Sequence, residues 1–569
     1  MGRQPKLLLG GVAVLWLLVV AISQSWNFLY ADDALPFVVR IHEGMSHPHH
    51  LIVGFLGKVN AALGWTGPLE FRQTLSFVRF IVGAFSLVGI LCVGYLAWLW
   101  WKGTWAIAAA MLTMAASYGF WAYSVVPDFY VPGIAMVLTS AMMVERAQQS
   151  RQWGWIVGAA VCVWTAALFH QSYALFAVIA SLLLLAARRP KPAAALLCLS
   201  SVLIGVSYLV AFWLQSEYRD IVSFVLGYAL HMQFTPYDHL QPLTPVYAAV
   251  GIMRAWTFPE YFLRVGDIWE YVQQRWSMKL FLDERFLLRS LPVEAAVLLG
   301  GIGLIGTVVV IWTALKTFRQ RHRELSGHLA YWSLVGWGVG LAFLAILWEP
   351  SSNEFWLWMI PLGALGVAGV RSHGSRVMAS VAVGAIAVST APVIWLYRSP
   401  DNDIYAVNKR YRAQLLPEDV VIAGDFHGTL ALNRLYPTTA RELQFTLGRL
   451  ELSRPELWRA LERLAAPTST GRLILDPLIA MPHLAEIALR QKLPGYSEER
   501  MLEVLRAIVT FCVGDSAEVE ALRNSGLSLP SQEWNWRRHR RIPVFAVRRE
   551  GGGVVEFRVR SLPWVQWME

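Results

Sequence analysis

Residues 26–56, WNFLYADDALPFVVRIHEGMSHPHHLIVGFL, are the stretch around which the rest of the chain is organised. They follow the first apolar segment and contain two adjacent carboxylates, Asp32 and Asp33. The other ionisable side chains that stand out in this stretch are His42, Glu43, His47, His49 and His50. Ionisable residues this dense, just outside a segment that can cross a bilayer, are costly unless they have a function. The stretch is therefore the first candidate for a functional site.

The composition is that of a membrane protein with many spans. Of the 569 residues, 56% are hydrophobic and 15% are charged, and the mean hydropathy is +0.44. Soluble globular domains contain about 25% charged residues. The 27 tryptophans fit the aromatic belts that form where membrane helices meet water. These features predict a polytopic α-helical membrane protein in contact with the lipid bilayer.

The formal net charge of +10 does not indicate a nucleic-acid partner. The basic residues form short clusters between apolar segments, where they set membrane topology, and there is no long basic tract. The four cysteines provide neither a disulfide framework nor metal-ligand spacing.

The apolar runs predict about eleven membrane spans. Their approximate limits are 7–23, 77–100, 104–122, 129–145, 153–169, 171–187, 193–214, 294–315, 328–347, 355–370 and 376–397. The first run lacks a convincing small-residue cleavage site, so we interpret it as an uncleaved span rather than a signal peptide.

The distribution of lysine and arginine supports this topology. With Arg3 and Lys6 inside, every second connection should be cytoplasmic and basic. The connections predicted to be inside carry Lys102; Arg146 and Arg151; Arg188, Arg189 and Lys191; Lys316, Arg319, Arg321 and Arg323; and Arg371 and Arg376. The connections near residues 126, 170 and 350 carry no lysine or arginine. The alternation depends on a break at His170, because one continuous span there would invert everything downstream.

The chain divides into a transmembrane domain, residues 1–398, and a soluble domain, residues 399–569. The transmembrane domain has two long outer loops, 24–76 and 215–293. In the soluble domain, VVIAG (420–424) and RLILD (472–476) are typical of buried strands, 443–464 and 501–509 are predicted helices, and VFAVRRE with VEFRVRSL predicts a terminal hairpin. Alternating strands and helices predict a small α/β domain. An odd number of spans places it in a bacterial periplasm, outside the inner membrane.

Asp32 and Asp33 can serve as a general base at the outer end of the first span. Adjacent carboxylates repel, so either one has a raised pKa or a cation binds between them. Either arrangement suits a group that takes a proton from a hydroxyl. The alternative is a solvated pair that caps the next helix.

Asp128, in VVPDFYVPG (125–133), begins the fourth predicted span from the outer side and therefore faces the same compartment. The structural alternative for Asp128 is a helix N-cap after Pro127. His49 and His50 are candidates to bind an anion such as a phosphate, or they simply lie at the membrane interface, and His170, at another outer span end, could line the same cavity. A zinc site is a weaker alternative for the histidines, because their spacing does not place three ligands on one helical face.

The second outer loop and the stretch WEPSSNEFW (348–356) supply the remaining candidates. An anion such as a phosphate in a site of low dielectric needs a cation to stabilise its charge, and arginine suits this role through its fork of donors. Arg254 and Arg264 are the candidates, with contact to lipid headgroups as the alternative. Glu354 lies at an outer span end between tryptophans and could reach the cavity.

A first span, an outer loop with an acidic residue and an amphipathic stretch with His-Pro together resemble the GT-C superfamily of polyprenyl-phosphate-sugar glycosyltransferases. The branch most similar in style contains the protein O-mannosyltransferases and aminoarabinose transferases. The matching residues are Asp32-Asp33 and His47-Pro48. After His-Pro, relatives often read PGYPLY, whereas this chain reads HHLIVGFLG (49–57). The resemblance covers residues 1–397 in architecture and short motifs in detail.

The resemblance implies that the acidic residue of the first loop is the catalytic base, which we assign to Asp33 with Asp32 as the alternative. It also implies that Asp128 ligates a metal or orients the acceptor. If a divalent cation takes part, Asp32 and Asp128 are its expected ligands. The expected partners are a polyprenyl-phosphate sugar and a glycan, lipid or protein acceptor. The expected function is an inverting glycosyl transfer on the outer face of the membrane. The alternative is a transporter or flippase of lipid-linked saccharides, which predicts inverted repeats and ionisable groups at the bilayer midplane.

Overall fold

The structure is a computed structural model. It describes residues 3–24, 34–45, 47, 49–67, 70–214, 220–224, 242–268, 287–398, 415–417, 420–424, 441–445, 473–475, 544–548 and 554–558. Asp32 and Asp33 therefore lie outside the described residues. The chain divides into two compact units: Met1–Trp269 with Ser290–Asn402, and Glu270–Arg289 with Asp403–Glu569.

The first unit is a bundle of α-helices. They are α1 (Arg3–Ile22), α2 (Ala34–Glu43), α3 (Leu51–Ala62), α4 (Phe71–Trp101), α5 (Thr104–Ala116), α6 (Tyr118–Val125), α7 (Tyr130–Ser150), α8 (Trp153–Phe169), α9 (Leu175–Ala186), α10 (Pro190–Leu214), α11 (Thr244–Trp256), α12 (Val293–Leu325), α13 (Leu329–Trp348), α14 (Met359–Ala368) and α15 (His373–Arg398). Short 3₁₀ segments are Gln171–Ala174, Pro259–Arg264, Leu288–Ser290 and Glu354–Trp356, and Ile221–Ser223 forms one further helical turn.

Every predicted span contains a helix. Among the described residues, six helices are long and apolar enough to cross a membrane, or seven if the bent pair α5 and α6 counts as one span. The remaining predicted spans are helices that are shorter or less apolar. The prediction of a multi-pass helical membrane protein is confirmed, and the count of about eleven crossings stays a prediction.

The first outer loop forms two helices that are joined to α4 by hydrogen bonds. Thr74 on α4 bonds the Nδ1 of His42 on α2 at 3.0 Å and donates to the Oδ1 of Asn60 on α3 at 2.9 Å. Asn60 in turn donates to the carbonyl of Trp65 at 2.5 Å. All three side chains in the chain from His42 to Asn60 are buried. Because buried polar groups are costly unless paired, this chain fixes α2 and α3 against α4.

Two helix breaks position residues at the same end of the bundle. Ser117 has an extended backbone between α5 and α6, and the two helices meet at 67°. His170 has an extended backbone after α8, and the chain continues as a 3₁₀ turn into α9. The predicted break at His170 is therefore confirmed. Irregular backbone is tolerated in a membrane protein where it is buried in protein or lines a cavity.

The connections predicted to lie inside meet at the other end of the bundle. Gln148 donates to the carbonyl of Gly327 at 2.9 Å, and Arg189 donates to the carbonyl of Ala147 at 3.3 Å. Arg321 donates to the carbonyl of Gly369 at 2.8 Å. These contacts place the predicted basic connections on one side, as the alternation of charge requires.

The second unit is described through its strands. β1 (Val420–Gly424) lies between β2 (Arg441–Phe445) and β3 (Leu473–Leu475), and all three are parallel. β4 (Val544–Arg548) and β5 (Val554–Arg558) form the predicted antiparallel hairpin. The predicted helix over 443–464 is wrong at its start, because residues 441–445 form β2 beside β1. There, Leu443 and Phe445 alternate with polar residues, which is the period of a strand. The predicted helix over 501–509 lies outside the described residues.

Candidate functional site

The histidines predicted to share a cavity lie together. The ring of His50 is 5.0 Å from the rings of both His47 and His170. The ring of His49 stacks on His170 at 6.4 Å. The first outer loop and the break after α8 therefore converge, although they are distant in sequence.

Each imidazole is held by a neighbouring polar group. The Nδ1 of His50 bonds the carbonyl of Phe169, which lacks a helical partner because α8 ends there. The Nδ1 of His170 accepts a hydrogen bond from the backbone N–H of Ser172 at 3.2 Å. The same nitrogen lies 2.6 Å from the hydroxyl oxygen of Ser172. Because the Nδ1 of His170 accepts this hydrogen bond, the neutral ring carries its hydrogen on Nε2.

Gln171 connects this cluster to α10. Its side-chain amide bonds the Nδ1 of His49, and its backbone N–H donates to the carbonyl of His49 at 3.1 Å. The hydroxyl of Tyr208 donates to the Oε1 of Gln171 at 3.0 Å. The position of His49 is thus set by a residue at the helix break and, through it, by α10.

The environment keeps the buried histidines neutral. Burial lowers the pKa of His50 well below its ordinary value, and the imidazoles of His170, His47 and His49 lower it further. Burial, with a smaller effect from His49, lowers the pKa of His170 to about 3. Both rings can therefore donate and accept hydrogen bonds at neutral pH without carrying a charge.

Asp128 is fully buried between α6 and α7. Its Oδ1 accepts a hydrogen bond of 2.5 Å from the backbone N–H of Phe129, the residue that precedes α7. The carboxylates of Asp128 and Glu354 both interact electrostatically with the hydroxyl of Tyr173, which donates to the carbonyl of Tyr130 at 3.2 Å. Two carboxylates distant in sequence thus lie near one tyrosine.

Glu354 belongs to the loop between α13 and α14. The hydroxyl of Tyr123, near the end of α6, lies 3.1 Å from the Oδ1 of Asn353 and 3.4 Å from the Oε2 of Glu354. Tyr123 is 1% exposed and Asn353 is 2% exposed. One buried hydroxyl therefore orients two adjacent polar side chains.

Tyr130 connects the histidines to the loop that carries Glu354. Its ring lies 5.2 Å from that of His170 and 6.0 Å from that of Phe355. A second contact joins His49 and Trp348 at 6.4 Å. The predicted residues Asp128, His49, His50, His170 and Glu354 thus belong to one contiguous set of contacts.

The two predicted arginines have other partners. Arg254, at the end of α11, is 1% exposed, forms an ion pair with Glu260, and donates to the carbonyl of Ser351 at 3.4 Å. Arg264 donates to the carbonyl of Leu291 at 3.1 Å. Arg254 thus borders the loop that carries Glu354, and phosphate binding by either arginine stays a prediction.

The described residues contain no group of three or more His, Cys, Asp or Glu side chains arranged to hold a metal ion. The Nδ1 atoms of His49, His50 and His170 each contact a protein group. A cation bound by Asp32 and Asp128 stays a prediction.

Sequence reasoning did not single out Tyr123, Tyr173, Tyr208 or Asn353. Two of them had a usable signal. Tyr123 lies at the outer end of a predicted span shortly before Asp128, and Asn353 directly precedes Glu354. Polar residues next to a predicted site at a span end are candidates to support it.

The fold of this chain is similar to that of a solved bacterial protein structure. The structure of ArnT from Cupriavidus metallidurans bound to undecaprenyl phosphate is similar, with a TM-score of 0.51 and 12% identity, covering 82% of this chain and 93% of that one. ArnT is an aminoarabinose transferase. At this identity the similarity shows the fold alone.

Two further solved structures match with lower TM-scores. Apo ArnT from Cupriavidus metallidurans has a TM-score of 0.49 and 14% identity, covering 83% of this chain and 94% of that one. The second is the oligosaccharyltransferase AglB from Archaeoglobus fulgidus in complex with an inhibitory peptide and a dolichol-phosphate. It has a TM-score of 0.43 and 12% identity, and the match covers 97% of this chain and 74% of that one. No family model matches the chain, and no curated protein matches it.

Proposed function

We propose that this protein is a glycosyltransferase that moves a sugar from a polyprenyl-phosphate-linked donor to an acceptor hydroxyl. One observation carries the proposal: a bundle with the ArnT fold brings Asp128, Glu354 and the buried histidines together at one end of its helices. Carboxylates and neutral imidazoles are the groups that hold hydroxyls and move protons. The ArnT structure with the same fold holds undecaprenyl phosphate, which supports a lipid-phosphate donor for this chain.

In the proposed reaction, Asp33 accepts the proton of the acceptor hydroxyl, with Asp32 as the alternative base. The hydroxyl oxygen forms a bond to the anomeric carbon as the bond from that carbon to the phosphate oxygen breaks. The configuration inverts, and the lipid phosphate leaves with the bonding electrons. Arg254 or Arg264 is the proposed cation for the leaving phosphate.

The buried groups position the reactants. Asp128 and Glu354 accept hydrogen bonds from hydroxyls of the acceptor or the sugar. Neutral His50 and His170 add polar groups to the lining of the proposed site. Because they carry no positive charge, they do not compete with the proposed arginines for the phosphate. Burial of these groups excludes water, which strengthens every electrostatic contact in the site.

The proposed site faces the outer side of a bacterial inner membrane, because the basic connections meet at the opposite end of the bundle. We propose that residues 399–569 form a periplasmic α/β domain. The parallel arrangement of β1, β2 and β3 supports this proposal, because parallel strands need long crossover connections that are usually helical.

The test is transfer of radiolabelled sugar from undecaprenyl-phosphate donors by the purified protein in liposomes. Asp33→Asn should reduce transfer by at least about a hundredfold, because a general base contributes that much or more. The thermal midpoint and gel-filtration profile should stay those of the wild type. Normal turnover by the variant would refute Asp33 as the base. Vesicle translocation without transfer would favour the flippase alternative.

A further inference from the structure

The amide of Asn353 has an unused donor in the proposed site. Its Nδ2 atom is buried and has no hydrogen-bond partner in the part of the chain that the structure describes. A buried amide donor without a partner lowers the stability of the folded state. Native proteins keep few such groups, and each calls for a ligand, a water or a functional reason.

The orientation of this amide is set by a neighbour. Tyr123 donates its hydroxyl to the Oδ1 of Asn353 at 3.1 Å and lies 3.4 Å from the Oε2 of Glu354. Since Oδ1 and Nδ2 diverge from the same carbon, binding of Oδ1 by Tyr123 directs Nδ2 away from that hydroxyl. Tyr123 thereby presents a donor on Asn353 beside an acceptor on Glu354.

The charges around the amide favour a neutral ligand over a phosphate. The carboxylate of Glu354 is next in sequence, and Asp128 lies near enough that both interact with Tyr173. Arg254, which contacts this loop at the carbonyl of Ser351, is already paired with Glu260. The carboxylate of Glu354 disfavours a phosphate directly at the amide, whereas a hydroxyl can donate to Glu354 and accept from Asn353.

Aromatic rings complete the surroundings of this pair. Phe355 follows Glu354 in the loop and contacts the ring of Tyr130 at 6.0 Å, and Tyr130 also lies 5.9 Å from Tyr123. Ligand sites typically combine such apolar walls with a few polar groups that fix orientation.

We propose that Asn353 and Glu354, oriented by Tyr123, bind hydroxyl groups of the donor sugar. This inference rests on the proposed function and deepens it, since it assigns to one loop the recognition of the sugar rather than of the lipid phosphate. Asn353 is then a specificity residue, and a sugar that lacks the contacted hydroxyl leaves its amide unpaired.

The test measures equilibrium binding by the full chain in lipid nanodiscs. The probes are undecaprenyl phosphate alone and undecaprenyl phosphate carrying glucose, mannose or 4-amino-4-deoxyarabinose. Asn353→Ala and Asn353→Asp should lower the affinity for the best-binding sugar-bearing probe about five- to tenfold, as expected for the loss of one neutral hydrogen bond. Binding of undecaprenyl phosphate should not change. Ser352→Ala, a buried change in the same loop, should match the wild type for every probe.

A second arm varies the sugar. Among monodeoxy forms of the best sugar, at least one should bind the wild type about tenfold more weakly, and Asn353→Asp should no longer discriminate against it. Equal binding of sugar-bearing and sugar-free lipid by the wild type would overturn the inference. An equal loss for both probes in Asn353→Ala would do the same, as would a loss of thermal stability with binding intact. If the wild type binds but transfers no sugar, the proposed function fails while the binding result still decides the role of Asn353.

Discussion

The ring of His50 meets the ring of His170 edge-on at 5.0 Å, with an interplanar angle of 76°. His50 directly precedes α3 in the first outer loop, and His170 is the extended residue that follows α8. Their contact closes one side of the proposed site. Both rings are neutral in the folded protein, so a proton on either would be a buried charge among other imidazoles.

The pKa of His170 predicts that acid destabilises the fold. The folded pKa is about 3, below the ordinary value of about 6.5, so the unfolded chain binds more protons between these values. The contribution of neutral His170 to the free energy of unfolding is fully present above about pH 6.5 and is lost progressively as the pH drops toward 3. At pH 5 the loss from this residue is about 2 kcal/mol. His170→Asn should flatten the thermal midpoint measured from pH 7.5 to 5, whereas the exposed His373→Asn should not. An unchanged pH slope in His170→Asn would contradict the assignment.

Arg254 and Glu260 form a buried ion pair, so removing either partner should be severe. Arg254→Ala or Glu260→Ala leaves an unpaired buried charge and should cost about 3–5 kcal/mol in unfolding free energy. Arg254→Leu with Glu260→Leu should recover much of this loss, because no charge remains buried. Thermal unfolding of the four proteins in one detergent gives the comparison. A double leucine variant that loses as much stability as the two single alanine variants together would show that the two side chains act independently.

Gly251 on α11 predicts a steric effect on the loop that carries Asn353. A Cβ there would lie 2.4 Å from the carbonyl oxygen of Pro350 and 2.6 Å from the ring of Trp356. Since one contact is backbone, Gly251→Ala should cost about 1–3 kcal/mol and weaken sugar binding. Gly205→Ala on α10, where a Cβ meets nothing within 4 Å, should be neutral or stabilising. A stable Gly251→Ala variant with normal binding would show that the loop position tolerates displacement.

Asp128 gives a prediction that separates charge from helix capping. Asn at this position keeps an oxygen for the N–H of Phe129 but removes the charge, so stability should change little. Transfer should fall about ten- to a hundredfold if the carboxylate orients the acceptor. Asp128→Ala should lose both activity and about 1 kcal/mol of stability. The rate and thermal midpoint of both variants decide between the roles, and a fully active Asp128→Asn would leave only the capping role.

Hydropathy and charge predicted the helices well, because a membrane span must be both long and apolar. They also predicted the break at His170, where polar residues interrupt an apolar run and the basic clusters demand a change of side. Among the described residues, six or seven helices are long and apolar enough to cross alone, so the count of about eleven crossings stays a prediction. The bend at Ser117 was not predicted, because AASYGFW (115–121) contains no proline or charged residue to interrupt the apolar run.

The sequence predicted part of the grouping of residues in the candidate site, while their roles stay predictions. Histidines and acidic residues at outer span ends are conspicuous in the sequence, and the structure brings five of the predicted residues into one set of contacts. The partners of Arg254 could not be read in advance, since Glu260 lies on a separate 3₁₀ segment. Nor could the role of Tyr123, because which tyrosine of a span faces a distant loop depends on how the helices bend and pack.

The hydrogen bonds from His42 through Thr74 to Asn60 join α2, α3 and the start of α4, so these helices should move together as one rigid unit. Spin labels on α2 and α4 should therefore report one constant separation. Any rearrangement of the bundle should occur between these three helices and their neighbours rather than among them.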